Sequence, residues 1–360
     1  MIKCFKSILN KSGKPYNYSY ILLFFVLALP VQLYLYRSKR FFDFLLIDYY
    51  IDNFSTFSNL RLIPLNYFSF SLGDYIYIIF SVIIIFNYWH KRIFYLTHKS
   101  AFLFELLAFI SFVILFFQLS WGLNYEKEGL VSKWKIKKNY NELKLEKTIS
   151  FLIDKSNDLH FKLAKNDSMK IVFPFNKEKV KKYLSNEKFF KVKSSLYSGI
   201  LCYTGFSGYI NPFTLEAQIN EKIPMLSYIT TIAHEQSHQI GIAAENEASY
   251  LAYKRTTSHK NDYIKYSGYI FALRNCLYAL KKNNHKSGVR LSKTISPGII
   301  KNINELNKFW QKYKNPFEPF FNYLYDKFLK INGQKNGILS YNDVVALIMF
   351  DVNDQMNKLK

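Results

Sequence analysis

The chain contains the run Ile232-Ala233-His234-Glu235-Gln236-Ser237-His238-Gln239-Ile240-Gly241, from which the rest of the sequence can be interpreted. Two histidines four residues apart lie on one face of a helix, so both imidazoles can reach the same cation. Glu235 follows the first histidine, where its carboxylate can polarise a water molecule at that cation. The pattern predicts a zinc site with His234 and His238 as ligands and Glu235 as the catalytic base.

The flanking residues favour a helix that ends soon after the second histidine. Pro224 is suited to a helix start, and Ile229, Ile232 and Ala233 would bury the side opposite the metal. Gly241 comes three residues after His238 and can adopt the left-handed conformation that ends a helix. Such a turn would bring the following residues back toward the metal.

The third ligand is less clearly marked. Hydrolytic zinc sites use three protein ligands and leave the fourth position to water. The metzincin pattern places a third histidine three residues after the glycine, but that position here is Ala244. Glu245 and Glu247 therefore remain as the two candidates.

The run Glu245-Asn246-Glu247-Ala248 resembles the helix that supplies the glutamate ligand in membrane-associated gluzincin peptidases. This resemblance implies Glu245 as the third ligand, with Glu247 as the alternative. Ser249 stands where those peptidases usually carry an aspartate that orients a ligand. Two other interpretations remain open, namely a chance pair of histidines and a relative that binds metal without turnover.

The net charge and the distribution of lysines indicate which kinds of molecule the chain could bind. The 360 residues carry a formal net charge of +23, and 19% of them are aromatic. The lysines are spread singly and form no nucleic-acid-binding module, so no nucleic-acid partner is expected. The charge instead predicts attraction to anionic lipid or polymer. Cys4, Cys202 and Cys276 form no metal pair, and a Cys202–Cys276 bridge remains open.

Three apolar stretches in residues 1–121 predict a membrane anchor, with transmembrane spans at about 20–36, 74–89 and 101–121. No small-residue cleavage site follows the first stretch, so it is interpreted as a span and not as a signal peptide. The lysine-rich N-terminus and the basic residues between the second and third spans favour a cytoplasmic location for both, whereas basic residues after the first and third spans favour the opposite orientation. The first orientation is preferred. The C-terminal domain then lies outside the cytoplasm. Residues 41–73 form a loop along the membrane–water interface on that same, non-cytoplasmic side.

Residues 122–360 read as a soluble domain. Glycine and aromatic residues in 195–220 predict short strands before the zinc helix, and an exposed strand edge there could pair with an extended peptide. The expected fold class is a membrane protein, mostly α, with three N-terminal transmembrane helices and an α+β zincin-like domain that is mainly helical with a small sheet. Amphipathic patterns predict further helices at 143–157, 176–184, 249–256, 263–282, 303–313, 320–331 and, capped by Ser340, at 340–349.

Four motifs together resemble an uncharacterised bacterial membrane family, domain of unknown function 3810. They are Phe70-Ser71-Leu72-Gly73-Asp74, Ser120-Trp121-Gly122-Leu123-Asn124-Tyr125, Gly208-Tyr209-Ile210-Asn211-Pro212-Phe213-Thr214-Leu215-Glu216-Ala217, and the run His234–Tyr253. The resemblance implies three spans in the bacterial inner (cytoplasmic) membrane and a zincin-like domain. It supplies no substrate.

The functional hypothesis is a membrane-anchored metallopeptidase that hydrolyses envelope proteins or peptides near the bilayer. Zn²⁺ would be held by His234, His238 and Glu245, with Glu235 as the base. The alternative is a non-catalytic, zinc-binding envelope protein that acts as a partner-binding scaffold. The sequence does not identify the side chain that stabilises the oxyanion, because candidates such as Tyr253, His259 and Tyr341 are too numerous.

Overall fold

The computed structural model describes residues 24–28, 46–136, 141–186 and 189–358. This part of the chain is mostly helical with one three-stranded sheet, as expected. It falls into two compact units. The smaller unit comprises the described residues up to Asn53 together with Tyr75–Leu123. The larger unit comprises Phe54–Asp74 together with the chain from Asn124 onward.

Two long apolar helices dominate the smaller unit. Helices α2 (Leu72–Thr97) and α3 (Lys99–Ser120) are long and apolar enough to cross a membrane. Helix α2 contains the second predicted span, and α3 covers the third except for Trp121. They fold back on each other near His98, where Lys91 Nζ lies 3.0 Å from Glu105 Oε2 and Tyr95 donates a 2.7 Å hydrogen bond to the same carboxylate. The single acidic side chain of α3 is therefore paired, as charges within apolar segments generally are.

The segment before these helices differs from its prediction. The first predicted span, 20–36, lies outside the described residues except for 24–28, which are helical. Within the predicted inter-span loop at 41–73, Leu46–Leu65 form helix α1, which the sequence pattern did not indicate. Its buried stripe is Phe54, Ser58 and Leu62, and the polar serine interrupts the apolar period in the sequence. The Ser58 hydroxyl is satisfied by donating to the Gln239 carbonyl at 3.0 Å.

The larger unit contains eleven further helices and three short strands in its described residues. Most predicted helices are confirmed, although the last begins after a 3₁₀ turn at Gly337–Asp343 and not at Ser340, and part of the predicted strand region is helical. The elements are α4 (Leu130–Lys133), α5 (Glu142–Leu163), α6 (Lys177–Leu184), β1 (Lys193–Ser194), α7 (Ser198–Thr204), β2 (Gly208–Ile210), β3 (Ala217–Ile219), α8 (Met225–Gln239), α9 (Glu245–Thr257), α10 (Asp262–Asn283), α11 (His285–Ser292), α12 (Pro297–Lys312), α13 (Glu318–Ile331) and α14 (Val344–Lys358).

Two apolar cores support the larger unit. In the first, α10 packs between α5, α9 and α14, as its predicted stripe of apolar residues requires. In the second, Ile229 and Ile232 of α8 pack under Ala217 and Ile219 of the sheet. The side of α8 opposite the histidines is therefore buried, as the sequence predicts.

The sheet has the order β1-β3-β2, with β3 in the centre. Strand β1 runs parallel to β3, and β2 runs antiparallel to it with Tyr209 opposite Gln218. The predicted strand region at 208–220 is therefore a hairpin, and β2 lies at an edge of the sheet formed by the described residues.

The motif at 70–74 contacts the motif at 208–217 through buried polar groups. The contacts of residues 71–74 with the sheet region are called the polar seam below. The buried Glu216 carboxylate accepts hydrogen bonds from the backbone N–H groups of Gly73 at 2.7 Å and Leu72 at 3.4 Å. These groups belong to the first turn of α2, where unpaired backbone donors and the helix dipole favour a carboxylate. The Gln218 amide also donates to Ser71 Oγ.

Asp74 completes the seam. Its buried carboxylate accepts a hydrogen bond from the Leu196 N–H at 2.8 Å and another from the Tyr209 hydroxyl of β2. The seam therefore holds both strands of the hairpin against residues 71–74. This explains in physical terms why serine, glycine and aspartate are needed in that short run.

The two described cysteines do not form the bridge that the sequence left open. Cys202 and Cys276 are both buried free thiols. Cys202 Sγ accepts a hydrogen bond from Asn220 Nδ2 at 3.2 Å, so this thiol is part of the packing near the sheet.

Gly73→Ala is expected to destabilise the larger unit by about 1–3 kcal/mol through overpacking. A Cβ at Gly73 would lie 2.4 Å from Asn211 Nδ2, and Asn211 cannot easily move because its Oδ1 accepts the Phe213 N–H at 2.9 Å. Thermal unfolding of the full chain in detergent measures the loss. Gly199→Ala is the matched control, since its Cβ would meet only Lys222 Nζ at 3.7 Å. Equal melting temperatures for the two variants would contradict the tight packing of Gly73 in the seam.

Candidate metal centre

Helices α8 and α9 and the turn between them position the candidate ligands. Helix α8 carries His234 and His238 and ends at Gln239. Gly241 has a φ of 83°, the left-handed conformation that the sequence predicts at this position. A Cβ there would lie 2.7 Å from the Phe54 ring and 2.8 Å from Asn124 Oδ1, so close packing also requires glycine. After this turn, Glu245 becomes the first residue of α9.

Three predicted ligands meet at this point. His234 Nε2 lies 3.1 Å from Glu245 Oε2, and His238 Nε2 lies 3.6 Å from the same oxygen. The two Nε2 atoms are 3.2 Å apart, and the imidazole rings are nearly perpendicular at 89°. His238 and Glu245 are buried, whereas His234 is partly exposed. Three donor atoms therefore converge at a site that opens on the His234 side.

The opposite nitrogen of each imidazole is held by a neighbour. His238 Nδ1 donates to the Ile242 carbonyl at 2.6 Å, which requires the proton on Nδ1 and leaves the Nε2 lone pair for a ligand when the ring is neutral. His234 Nδ1 lies 3.2 Å from Ser249 Oγ. Ser249 thus occupies the place of the expected aspartate and still contacts the histidine that such an aspartate would orient.

Tyr325 of α13 contributes a contact that sequence reasoning missed. Its hydroxyl donates to Glu245 Oε1 at 2.9 Å, while Glu245 Oε2 faces the histidines. The Tyr325 ring packs edge-to-face on Phe206 with centroids 5.0 Å apart. Tyr325 lies 80 positions after Glu245, so no local pattern could have indicated it.

Glu247 lies outside the group of three ligands. Its Oε1 accepts the backbone N–H of Leu130 at 2.5 Å, and a Cβ at Gly129 would lie 2.8 Å from the same oxygen. Burial raises the pKa of the Glu247 carboxyl. The structure therefore places this residue as an acceptor for α4, and only Glu245 joins the histidines.

Glu235 is buried beside the ligands. Its Oε2 has no hydrogen-bond partner among the described residues. Strand β2 lies directly over it, since a Cβ at Gly208 would come within 2.7 Å of Glu235 Oε1. Burial raises the pKa of the Glu235 carboxyl, although the neighbouring histidines act in the opposite direction. A carboxyl group with these surroundings is suited to accepting a proton.

The three candidate ligands form a strongly coupled charge cluster. Burial tends to lower the pKa of His238, but the adjacent Glu245 carboxylate raises it to about 9. Burial tends to raise the pKa of Glu245, but His238 and His234 hold it well below its ordinary value. Each group therefore favours the charged form of the other, and a metal that binds His238 Nε2 would displace the proton from that atom.

The candidate residues for an oxyanion partner do not gather here. Tyr253 is buried in the helical core, and His259 Nδ1 accepts the Asn261 N–H at 3.0 Å in the turn after α9. The side chain of Tyr341 lies outside the described part of the structure. Tyr325, in contrast, contacts a candidate ligand directly through its hydroxyl.

A comparison with protein families identifies one match. The family described as Protein of unknown function (DUF3810) matches residues 49–349. The chain belongs to this family. The DUF3810 match includes the residues of the buried seam, the hairpin and the candidate metal centre. No curated protein and no solved structure matches the DUF3810 chain.

Ser249→Ala is expected to weaken the affinity of the DUF3810 chain for Zn²⁺ about 10-fold or more, because His234 would lose its orienting contact. Competition with a chromophoric zinc chelator measures the dissociation constant. Ser249→Asp is the matched variant, and it should bind at least as tightly as the parent since a carboxylate increases the basicity of the ring. Unchanged affinity in Ser249→Ala would show that the 3.2 Å contact does not orient His234.

Proposed function

We propose that the DUF3810 chain is a membrane-anchored zinc metallopeptidase, with Zn²⁺ held by His234, His238 and Glu245. The supporting observation is the spacing of the three donor atoms. Tetrahedral zinc with bonds of 2.0–2.1 Å requires neighbouring ligand atoms about 3.4 Å apart. The three separations here are 3.1, 3.2 and 3.6 Å, so the residues fit a zinc ion with little movement.

The chemistry of the ligands supports the same metal. Two imidazoles and one carboxylate are a common zinc ligand set in hydrolases, which leave a fourth position open. Contacts from Ile242, Ser249 and Tyr325 orient all three ligands, as zinc sites require. When bound, Zn²⁺ would polarise a peptide carbonyl and acidify a water molecule.

Glu235 is proposed as the catalytic base. It lies close enough to His234, His238 and Glu245 for their charges to affect its pKa, and its Oε2 has no other partner among the described side chains. The carboxylate would accept a proton from the attacking water and then donate it to the leaving amine. Burial strengthens this role, because a base with a raised pKa holds the proton between the two transfers.

The edge strand β2 is proposed to bind the substrate. It pairs with β3 through one edge, and its other edge can pair with an extended peptide. Gly208 lies over Glu235 without a side chain, so a peptide beside β2 would pass close to the base. Because backbone hydrogen bonds would provide much of the binding, the proposed substrate class is an unfolded or extended segment of an envelope protein or peptide.

The proposed location is the bacterial inner (cytoplasmic) membrane. Helices α2 and α3 form a hairpin, so Tyr75 and Leu123, where the chain joins the larger unit, lie on one side of the bilayer. Lys91, Arg92 and Lys99 lie near the other end of that hairpin and favour the cytoplasm. The larger unit would then face away from the cytoplasm, near protein or peptide substrates and anionic lipid or polymer.

Zinc content provides the first test. The full chain purified in detergent is expected to hold one zinc per chain, and Glu245→Ala should reduce this strongly because only two ligands would remain. Glu247→Ala is the matched control and should keep the metal, since Glu247 contacts Leu130 and not the histidines. Elemental analysis after dialysis measures both. Loss of zinc from Glu247→Ala alone would contradict the proposed ligand set.

Glu235→Gln tests the catalytic role separately. The variant should retain one zinc per chain but cleave peptides about 100-fold or more slowly, which is the usual contribution of a general base. A random decapeptide library with mass-spectrometric readout measures cleavage by the parent, by Glu235→Gln and by the control Glu247→Gln. Equal cleavage by the parent and Glu235→Gln would refute the mechanism. A parent that holds zinc but cleaves no peptide would favour the scaffold alternative.

A further inference from the structure

Helix α13 has two faces with different roles. Its inner face presents Tyr325 to the candidate metal centre. Its outer face carries a stripe of large apolar side chains, namely Phe317, Phe320, Leu324, Phe328 and Ile331. Phe317 is the residue just before the helix. These positions are three or four residues apart, so they lie along one side of the helix.

The stripe is exposed. The exposed fractions are 69% for Phe317, 58% for Phe320, 49% for Leu324 and 62% for Ile331. Helix α7 packs against α13 and exposes Ile200 and Tyr203 as well. Single exposed apolar side chains are ordinary, but a continuous stripe on one helix marks a surface that another apolar phase covers.

The charges around the stripe favour an anionic surface as that phase. Residues 312–335 contain five lysines and two acidic residues. Lys327 is exposed and lies 5.2 Å from the ring centre of Tyr323, and Lys330 pairs with one of the acidic residues, Asp326. Aromatic side chains with lysines beside them are typical of helices that lie in the headgroup region of a bilayer.

The covalent structure also places a bilayer within reach. The larger unit is joined directly to two helices that are long and apolar enough to cross a membrane, at Asp74–Tyr75 and at Leu123–Asn124. Few residues separate the unit from these helices, so the covalent connection keeps a bilayer that they cross within reach of the unit. A protein partner would have to be recruited from solution, whereas the lipid surface is present at high effective concentration.

We propose that the outer face of α13 lies in the headgroup region of an anionic bilayer, with the stripe inserted among the acyl chains. Docking of this kind uses an apolar face that buries about 5–10 Å into the boundary, assisted by lysines that contact anionic headgroups. The same helix contacts Glu245 through Tyr325, so the docked surface and the candidate metal centre share one short element. Membrane contact of this face does not require peptidase activity.

Site-specific quenching in the full chain tests the docking surface. An environment-sensitive fluorophore is attached to Phe320→Cys or to Ile331→Cys in a Cys4→Ser background, because Cys202 and Cys276 are buried. Phe161→Cys is the matched control, since Phe161 is 83% exposed on α5, which packs into the helical core. Each protein is placed in phosphatidylcholine–phosphatidylglycerol nanodiscs at one chain per disc.

Acyl-chain nitroxide lipids should quench the labels at 320 and 331 at least about threefold more than the label at 161. Aqueous iodide should show the opposite order. Labels at 320 and 331 that iodide quenches as strongly as the control, without lipid quenching, would overturn the proposal. Protection from iodide that develops only at several chains per disc would assign the face to a second copy and would also overturn it.

Lipid charge provides an independent arm of the test. In discs of phosphatidylcholine alone, the lipid quenching at 320 is expected to fall at least about twofold, because the lysines beside the stripe would no longer be attracted to anionic headgroups. Lys327→Gln should reduce the quenching in anionic discs in the same direction. Equal quenching in the two kinds of disc would overturn the choice of an anionic surface. Zinc content and peptide cleavage are measured separately, so their failure does not affect this result.

Discussion

The buried Glu216 carboxylate is the contact on which the geometry of the site depends. A carboxylate without water needs hydrogen-bond donors, and the first turn of α2 provides two backbone N–H groups and the positive end of a helix dipole. Gln218 and Tyr209 reinforce this contact from the two strands of the same hairpin. The hairpin is therefore held in one register, and that register puts Gly208 over Glu235. The strand that covers Glu235 is thus fixed by residues outside the candidate metal centre.

The candidate metal centre is organised in a similar way. Each possible ligand is oriented by a group from a different part of the chain: the Ile242 carbonyl, the Ser249 hydroxyl and the Tyr325 hydroxyl. Such contacts hold the donor atoms in place before an ion binds, which lowers the entropy cost of binding. The serine beside His234 is a neutral partner, whereas an aspartate at that position would be charged. The site therefore keeps the orientation that a carboxylate would provide but with one fewer negative charge nearby.

The two faces of helix α13 have different surroundings. One face supports Glu245 in a buried charge cluster, and the other exposes large apolar side chains. Its apolar period, which predicts a helix at 320–331, reflects in part the exposed stripe and not only packing against the protein. Periodicity shows that a helix has an apolar face, but it does not show whether protein or lipid covers that face.

The sequence alone determined the features that depend on near neighbours. The four-residue spacing of His234 and His238 follows from the helical period, and the turn at Gly241 follows from the freedom of glycine at positive φ. The gluzincin resemblance favoured Glu245 over Glu247, and the tertiary structure places Glu245 Oε2 beside the histidines and Glu247 against Leu130. Spacing alone could not decide between them, because residues two positions apart on a helix point to different sides and the direction after the turn decides which one faces the histidines. Tyr325, the Glu216 contact and the burial of Ser58 also required the fold, since their partners are 80, 143 and 181 positions away. Local patterns predict helices and turns, whereas long-range pairing depends on how those helices pack.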